Sequence, residues 1–113
     1  MKSPIDEADR WLTHAQDEYQ DAEELRERGR FYLALFHFQQ AAEKALKAFL
    51  YAHTDDRRVF FTHSVLELAQ AAATLDPALS GLAEAGRLDQ YYIPTRYPNG
   101  LPGGGAISLL HRS

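Results

Sequence analysis

The sequence predicts an all-α protein, an antiparallel up-and-down bundle of about four helices whose final helix is cut short. Three observations carry that expectation. Apolar residues recur at helical spacing in separate segments, helix-start residues precede them, and no stretch alternates with the period of two that a half-buried strand needs.

Ser3-Pro4-Ile5-Asp6 opens the first helix. The Ser3 hydroxyl can accept from a free backbone N–H, Pro4 needs no N–H at the first position, and Asp6 suits the positive helix end. Ile5, Ala8, Leu12, Ala15, Tyr19 and Ala22 then draw one apolar stripe, widened by Trp11 and Leu25, and Gly29 supplies a stop. A second helix is expected from Phe31 to about His53. Its apolar residues Leu35, Phe38, Ala42, Ala45, Leu46 and Phe49 cover more than one narrow face, which predicts contacts on two sides.

Thr54 to Arg58 is a polar break. Thr62 or His63 opens a third helix to about Leu75, with Val65, Leu66, Leu68, Ala69 and Ala72 directed inward. Asp76 as cap and Pro77 at the first position start a fourth, running towards Tyr92. From Pro94 onward, Pro98, Asn99-Gly100, Pro102 and Gly103-Gly104-Gly105 cannot sustain a helix. The expected division is a helical unit over residues 1–98 and a Gly/Pro-rich loop with a short tail over residues 99–113.

The chain has 113 residues, one domain's worth. It has no cysteine, which excludes disulfides, thiol catalysis and cysteine-ligated zinc. No apolar run reaches the ~20 residues of a membrane span, and the first residues lack the apolar region of a signal peptide, so a cytoplasmic, membrane-free protein is expected. The net charge of −4 is uneven, since residues 1–29 carry 9 acids against 4 bases. Non-specific nucleic-acid affinity comes mainly from neutralising phosphates, so any such binding must rest on a local basic site.

Three places could carry chemistry. The second helix holds Gln39-Gln40-Ala41-Ala42-Glu43-Lys44-Ala45-Leu46-Lys47, where Glu43 and Lys47 have the spacing of an exposed helical ion pair. So many polar groups on an apolar helix also imply that part of this face lines a groove or interface. Tyr91-Tyr92-Ile93-Pro94-Thr95-Arg96-Tyr97-Pro98 sets tyrosines around an arginine, a fork for phosphate beside faces on which bases stack. The alternative is that these tyrosines close the end of the bundle and Arg96 pairs with an acid of the first helix. Finally, Arg58 precedes His63 by five positions, a pair able to stabilise charge and move protons at a phosphodiester. The five histidines form no pair at metal-ligand spacing, and the triple glycine is followed by no lysine, so neither a metal nor a cofactor is expected.

Together these segments resemble the HEPN domain (higher eukaryotes and prokaryotes nucleotide-binding). The resemblance rests on Ala8-Asp9-Arg10-Trp11-Leu12 with Ala15, Gly29 to Tyr32, Phe38 through Ala48, Thr62-His63-Ser64-Val65 with Leu68, and Leu88-Asp89 through Thr95-Arg96-Tyr97-Pro98. It implies a bundle of four main helices, often a homodimer in a prokaryotic cytoplasm, and often encoded beside a minimal nucleotidyltransferase as a toxin–antitoxin module. Catalytic members are RNases carrying arginine, then four to six residues, then histidine on the last long helix. This sequence departs from that pattern, because His111 lies 15 positions after Arg96 and Arg58 and His63 precede the third helix.

Three functions follow as expectations. The first is a non-catalytic nucleotide- or RNA-phosphate-binding module using Arg96, Tyr92 and Tyr97, with Lys44 and Lys47 adding positive charge. The second is an RNase using His63 with Arg58 or Arg96. The third is a structural dimerisation scaffold.

Overall fold

The computed structural model describes residues 3–93. Among them the regular structure is all helical, with α1 at Pro4–Glu27, α2 at Phe31–His53 and α3 at Val65–Leu75. Two 3₁₀ segments complete the bundle, a short one at Arg57–Phe61 and a long one at Pro77–Tyr91. No described residue forms a strand, so the all-α bundle expected from the sequence is the fold.

The start of α1 is a full capping box. Ser3 Oγ accepts from the Asp6 N–H while the Asp6 carboxylate accepts from the Ser3 N–H, which satisfies two of the free donors of the first turn. Gly29 turns the chain with φ of +79°, a conformation that costs a glycine little and other residues more. The turn lays α2 antiparallel along α1. Trp11 meets Tyr51 and Tyr19 meets Phe38, with ring centroids 6.2 and 5.6 Å apart. Glu18 joins both His37 and Lys44 across the same interface.

The other side of α2 packs on α3 and on the long 3₁₀ segment, so α2 is held on two sides as its apolar pattern predicts. The core here is Leu46, Leu50, Val65, Leu68, Ala69 and Ala72, with Phe49, Phe60 and Leu79 against it. On α1 the stripe is only half used. Ala15 and Ala22 are buried, whereas Leu12 and Tyr19 are 44% and 48% exposed and border an apolar groove of about 510 Å³ between α1 and α2.

One boundary, one burial and one helix type differ from the sequence expectation. The third helix begins at Val65, not Thr62 or His63, because Ser64 takes the cap and its Oγ accepts from the Glu67 N–H. Leu66, expected inward, is exposed on its outer side. The fourth segment is 3₁₀ where an α-helix was expected. Gly81 and Gly86 weaken α-helix there, and the close approach of Gly86 to Leu66 sets how tightly the segment lies on α3. Arg96, Tyr97 and the tail beyond residue 98 lie outside the described residues. No described helix is long and apolar enough to cross a membrane.

Candidate functional site

Gln39, Glu43 and Lys47 follow one another at four-residue steps, which places them on one face of α2. A polar row inside a bundle must be partnered, since an unsatisfied buried polar group costs about 1–3 kcal/mol and a lone charge more. Every member is partnered here. Gln39 donates to the His63 carbonyl at 2.9 Å and accepts from Gln40 at 2.8 Å. Lys47 donates to Glu43 at 2.9 Å and to the Phe60 carbonyl at 3.2 Å, and its ammonium lies 5.7 Å from the Trp11 ring centre. The Glu43 and Lys47 side chains are only 7% and 4% exposed, so the pair expected on the helix surface is a buried one.

The row ends at His63. Its Nδ1 lies 3.1 Å from Glu43 Oε2, and its ring stacks on Tyr92 at 4.9 Å between centroids, with 14° between the planes. The imidazole is otherwise open, its side chain 45% exposed. A carboxylate only accepts hydrogen bonds, so the ring meets Glu43 through a protonated Nδ1.

Asp89 closes the space behind. Its carboxylate accepts from the Val65 N–H at 2.6 Å, the Leu66 N–H at 3.1 Å and the Ser64 hydroxyl at 2.9 Å. With Ser64 accepting from Glu67, the free donors that make a helix start attractive to anions are already used. A phosphate therefore finds no seat at the beginning of α3.

The remaining sequence candidates separate. Tyr92 joins His63 directly. Lys47 was expected to add charge to a ligand site, but it is enclosed and paired to Glu43, so its ammonium is not presented outward. Lys44 points to the other side of α2 and donates to Glu18 at 2.6 Å. Burial opposes ionisation of Glu18, yet the hydrogen bonds from Lys44 and His37 outweigh it and hold the carboxyl below the usual range. Arg58 turns its guanidinium onto Asp56, with Nε and one terminal nitrogen at 3.0 and 2.9 Å from the two oxygens. Gln39 stood in the polar run of the second helix and Asp89 only within the family pattern, and neither had an assigned role. Their signal on the residues alone was the four-step polar row and a carboxylate a few residues before the tyrosines. No described group of three or more histidine, aspartate or glutamate side chains is placed to hold a metal.

No curated protein and no solved structure matches this chain. Residues 8–106 match the family model of the HEPN domain, a span that contains α2 with its polar row, His63, Asp89 and the Thr95-Arg96-Tyr97-Pro98 segment. The chain belongs to the HEPN family.

Proposed function

We propose that this HEPN domain is a non-catalytic module that binds the phosphate of a nucleotide or RNA, acting as a homodimer, with a minimal nucleotidyltransferase as its candidate partner. The observation that carries the reading is the placement of His63 between buried Glu43 and the Tyr92 ring, two aromatic faces at the edge where the chain leads on to Arg96. Stacking on aromatic faces tolerates any base, and an arginine fork takes a phosphate. Arg96 is the third residue beyond Ile93, and three extended residues span at most about 11 Å. Arg96 and Tyr97 are thus within chain reach of the His63–Tyr92 edge. With α3 capped internally and Lys44, Lys47 and Arg58 engaged elsewhere, Arg96 is the group on which phosphate affinity rests in this reading.

The rival reading is the RNase, favoured by the Glu43 contact that orients His63. Retention and cleavage of labelled RNA by the wild type, Arg96→Ala and His63→Ala separate the two. The binding module retains intact RNA and loses about ten- to a hundredfold in affinity in Arg96→Ala, the effect of one charged hydrogen-bonding group. Cleavage that disappears in His63→Ala would make the protein an RNase. Neither retention nor cleavage would leave a scaffold.

A further inference from the structure

Phe61 ends the short 3₁₀ segment and is 82% exposed, the most of any large apolar residue among those described. The backbone sets that placement. Three residues make one turn of a 3₁₀ helix, so Arg57 and Phe60 share one face and Arg58 and Phe61 the next. The first face lies on α2, with the Phe60 and Tyr51 rings 4.1 Å apart and the Arg57 guanidinium 5.6 Å from the Tyr51 ring centre. The second face is outward. Thr62 is extended, with φ of −88° and ψ of 151°, and side chains on either side of an extended residue point the same way. Phe61 and His63 therefore open to one side, while the Thr62 hydroxyl turns to Glu67 of α3. Two residues span at most about 7 Å, so Phe61 stands beside the His63–Tyr92 edge. Its support is pinned at both ends, since Lys47 donates to the Phe60 carbonyl at 3.2 Å and Thr62 Oγ accepts from the Ser64 N–H at 3.0 Å.

Resting on the nucleotide-binding reading above, we propose that Phe61 is a second base-stacking face. It takes the base next to the one at the His63–Tyr92 edge, so that the ligand is a single strand of at least two consecutive nucleotides. Every base has a face that stacks on an aromatic ring, so this contact adds affinity without reading sequence. Bases inside a duplex are stacked on one another, so the base laid on Phe61 comes from an unpaired strand. A protein partner is a poorer fit, because a stable protein interface covers about 800 Å² on each side. Phe61 is instead one ring in a polar run of Asp55, Asp56, Arg57, Arg58 and Thr62, with Val59 and Phe60 packed against the core.

The test is isothermal titration calorimetry of the wild type and three Phe61 variants with uridine monophosphate and with a uridine decamer. The ring is exposed, so the substitutions leave the core intact. The wild type should bind the decamer more tightly than the monophosphate. Phe61→Ala should weaken the decamer about five- to a hundredfold, the effect of one stacked base, and leave the monophosphate affinity unchanged. Phe61→Trp should keep the wild-type affinity for the decamer, whereas Phe61→Leu, apolar but without an aromatic face, should behave like Phe61→Ala. A decamer affinity that survives in Phe61→Ala or Phe61→Leu overturns the proposal. So does a change of oligomeric state in Phe61→Ala by sedimentation velocity, which would make the ring a protein contact. If the wild type binds neither ligand, the nucleotide-binding reading falls and the proposal falls with it.

Discussion

The Glu43 carboxylate and the His63 imidazole lie 3.1 Å apart, joining the middle of α2 to the segment that leads into α3. One partner is buried and the other half-exposed, so a group at the bundle surface is oriented by a charge inside it. Lys47 makes that arrangement tolerable by donating to the same Glu43 oxygen at 2.9 Å.

That dependence gives the first prediction. Lys47→Met removes one partner of a buried ion pair and leaves Glu43 poorly compensated, which should cost about 3–5 kcal/mol. This is a large share of a small domain's stability. Glu43→Leu with Lys47→Met should be less destabilised than Lys47→Met alone. Urea denaturation of both variants checks the order, and equal or reversed midpoints would mean that the pair is not buried together.

Asp89 supplies the second. Its carboxylate accepts from two backbone N–H groups and the Ser64 hydroxyl at the start of α3. Asp89→Ala should lower stability by about 1–3 kcal/mol and lower the melting temperature by several degrees. Asp89→Asn, which keeps an acceptor but not the charge, should fall between the two in a thermal melt.

Much of this was legible in the sequence, for identifiable reasons. The limits of α1 and α2 follow from Ser3-Pro4 and from Gly29, because caps and positive-φ turns are local chemistry. The start of α3 was misplaced because Thr62, His63 and Ser64 can each cap a helix, and only the distant Asp89 selects Ser64. The Glu43–Lys47 spacing was plain, but whether the pair is exposed or buried depends on Trp11 and Phe60, which come from other segments. The 3₁₀ geometry of Pro77–Tyr91 was hidden for the same reason, since it depends on packing against Leu66.

The two glycines of that segment form a contrasting pair. A Cβ at Gly86 would sit 2.8 Å from the Leu66 Cβ, so Gly86→Ala should destabilise by about 1–3 kcal/mol as an overpacked contact. A Cβ at Gly81 meets nothing within 4 Å, so Gly81→Ala should be neutral or slightly stabilising by restricting the unfolded chain. Denaturation midpoints of the two single variants decide it.

Glu18 should make stability depend on acid. Its folded-state carboxyl is held below its ordinary value of 4.5, so it contributes stability that is complete above that value. The contribution fades as the pH falls through the lowered folded value. Glu18→Gln should therefore be less stable than the wild type at pH 7 and should lose less on going from pH 5 to pH 3. An unchanged pH dependence in urea denaturation would show that the bonds to His37 and Lys44 do not persist in solution.

The proposed function centres ligand binding on the His63–Tyr92 edge and assigns the phosphate to Arg96. NMR titration of the isotope-labelled protein with the uridine decamer, followed at the histidine rings, tyrosine rings and arginine side chains, tests it most directly. The account predicts that the largest shift changes fall on His63, Tyr92 and Arg96 and that they weaken together in Arg96→Ala. Changes confined to the α1–α2 groove around Leu12 and Tyr19, or no changes at all, would contradict it.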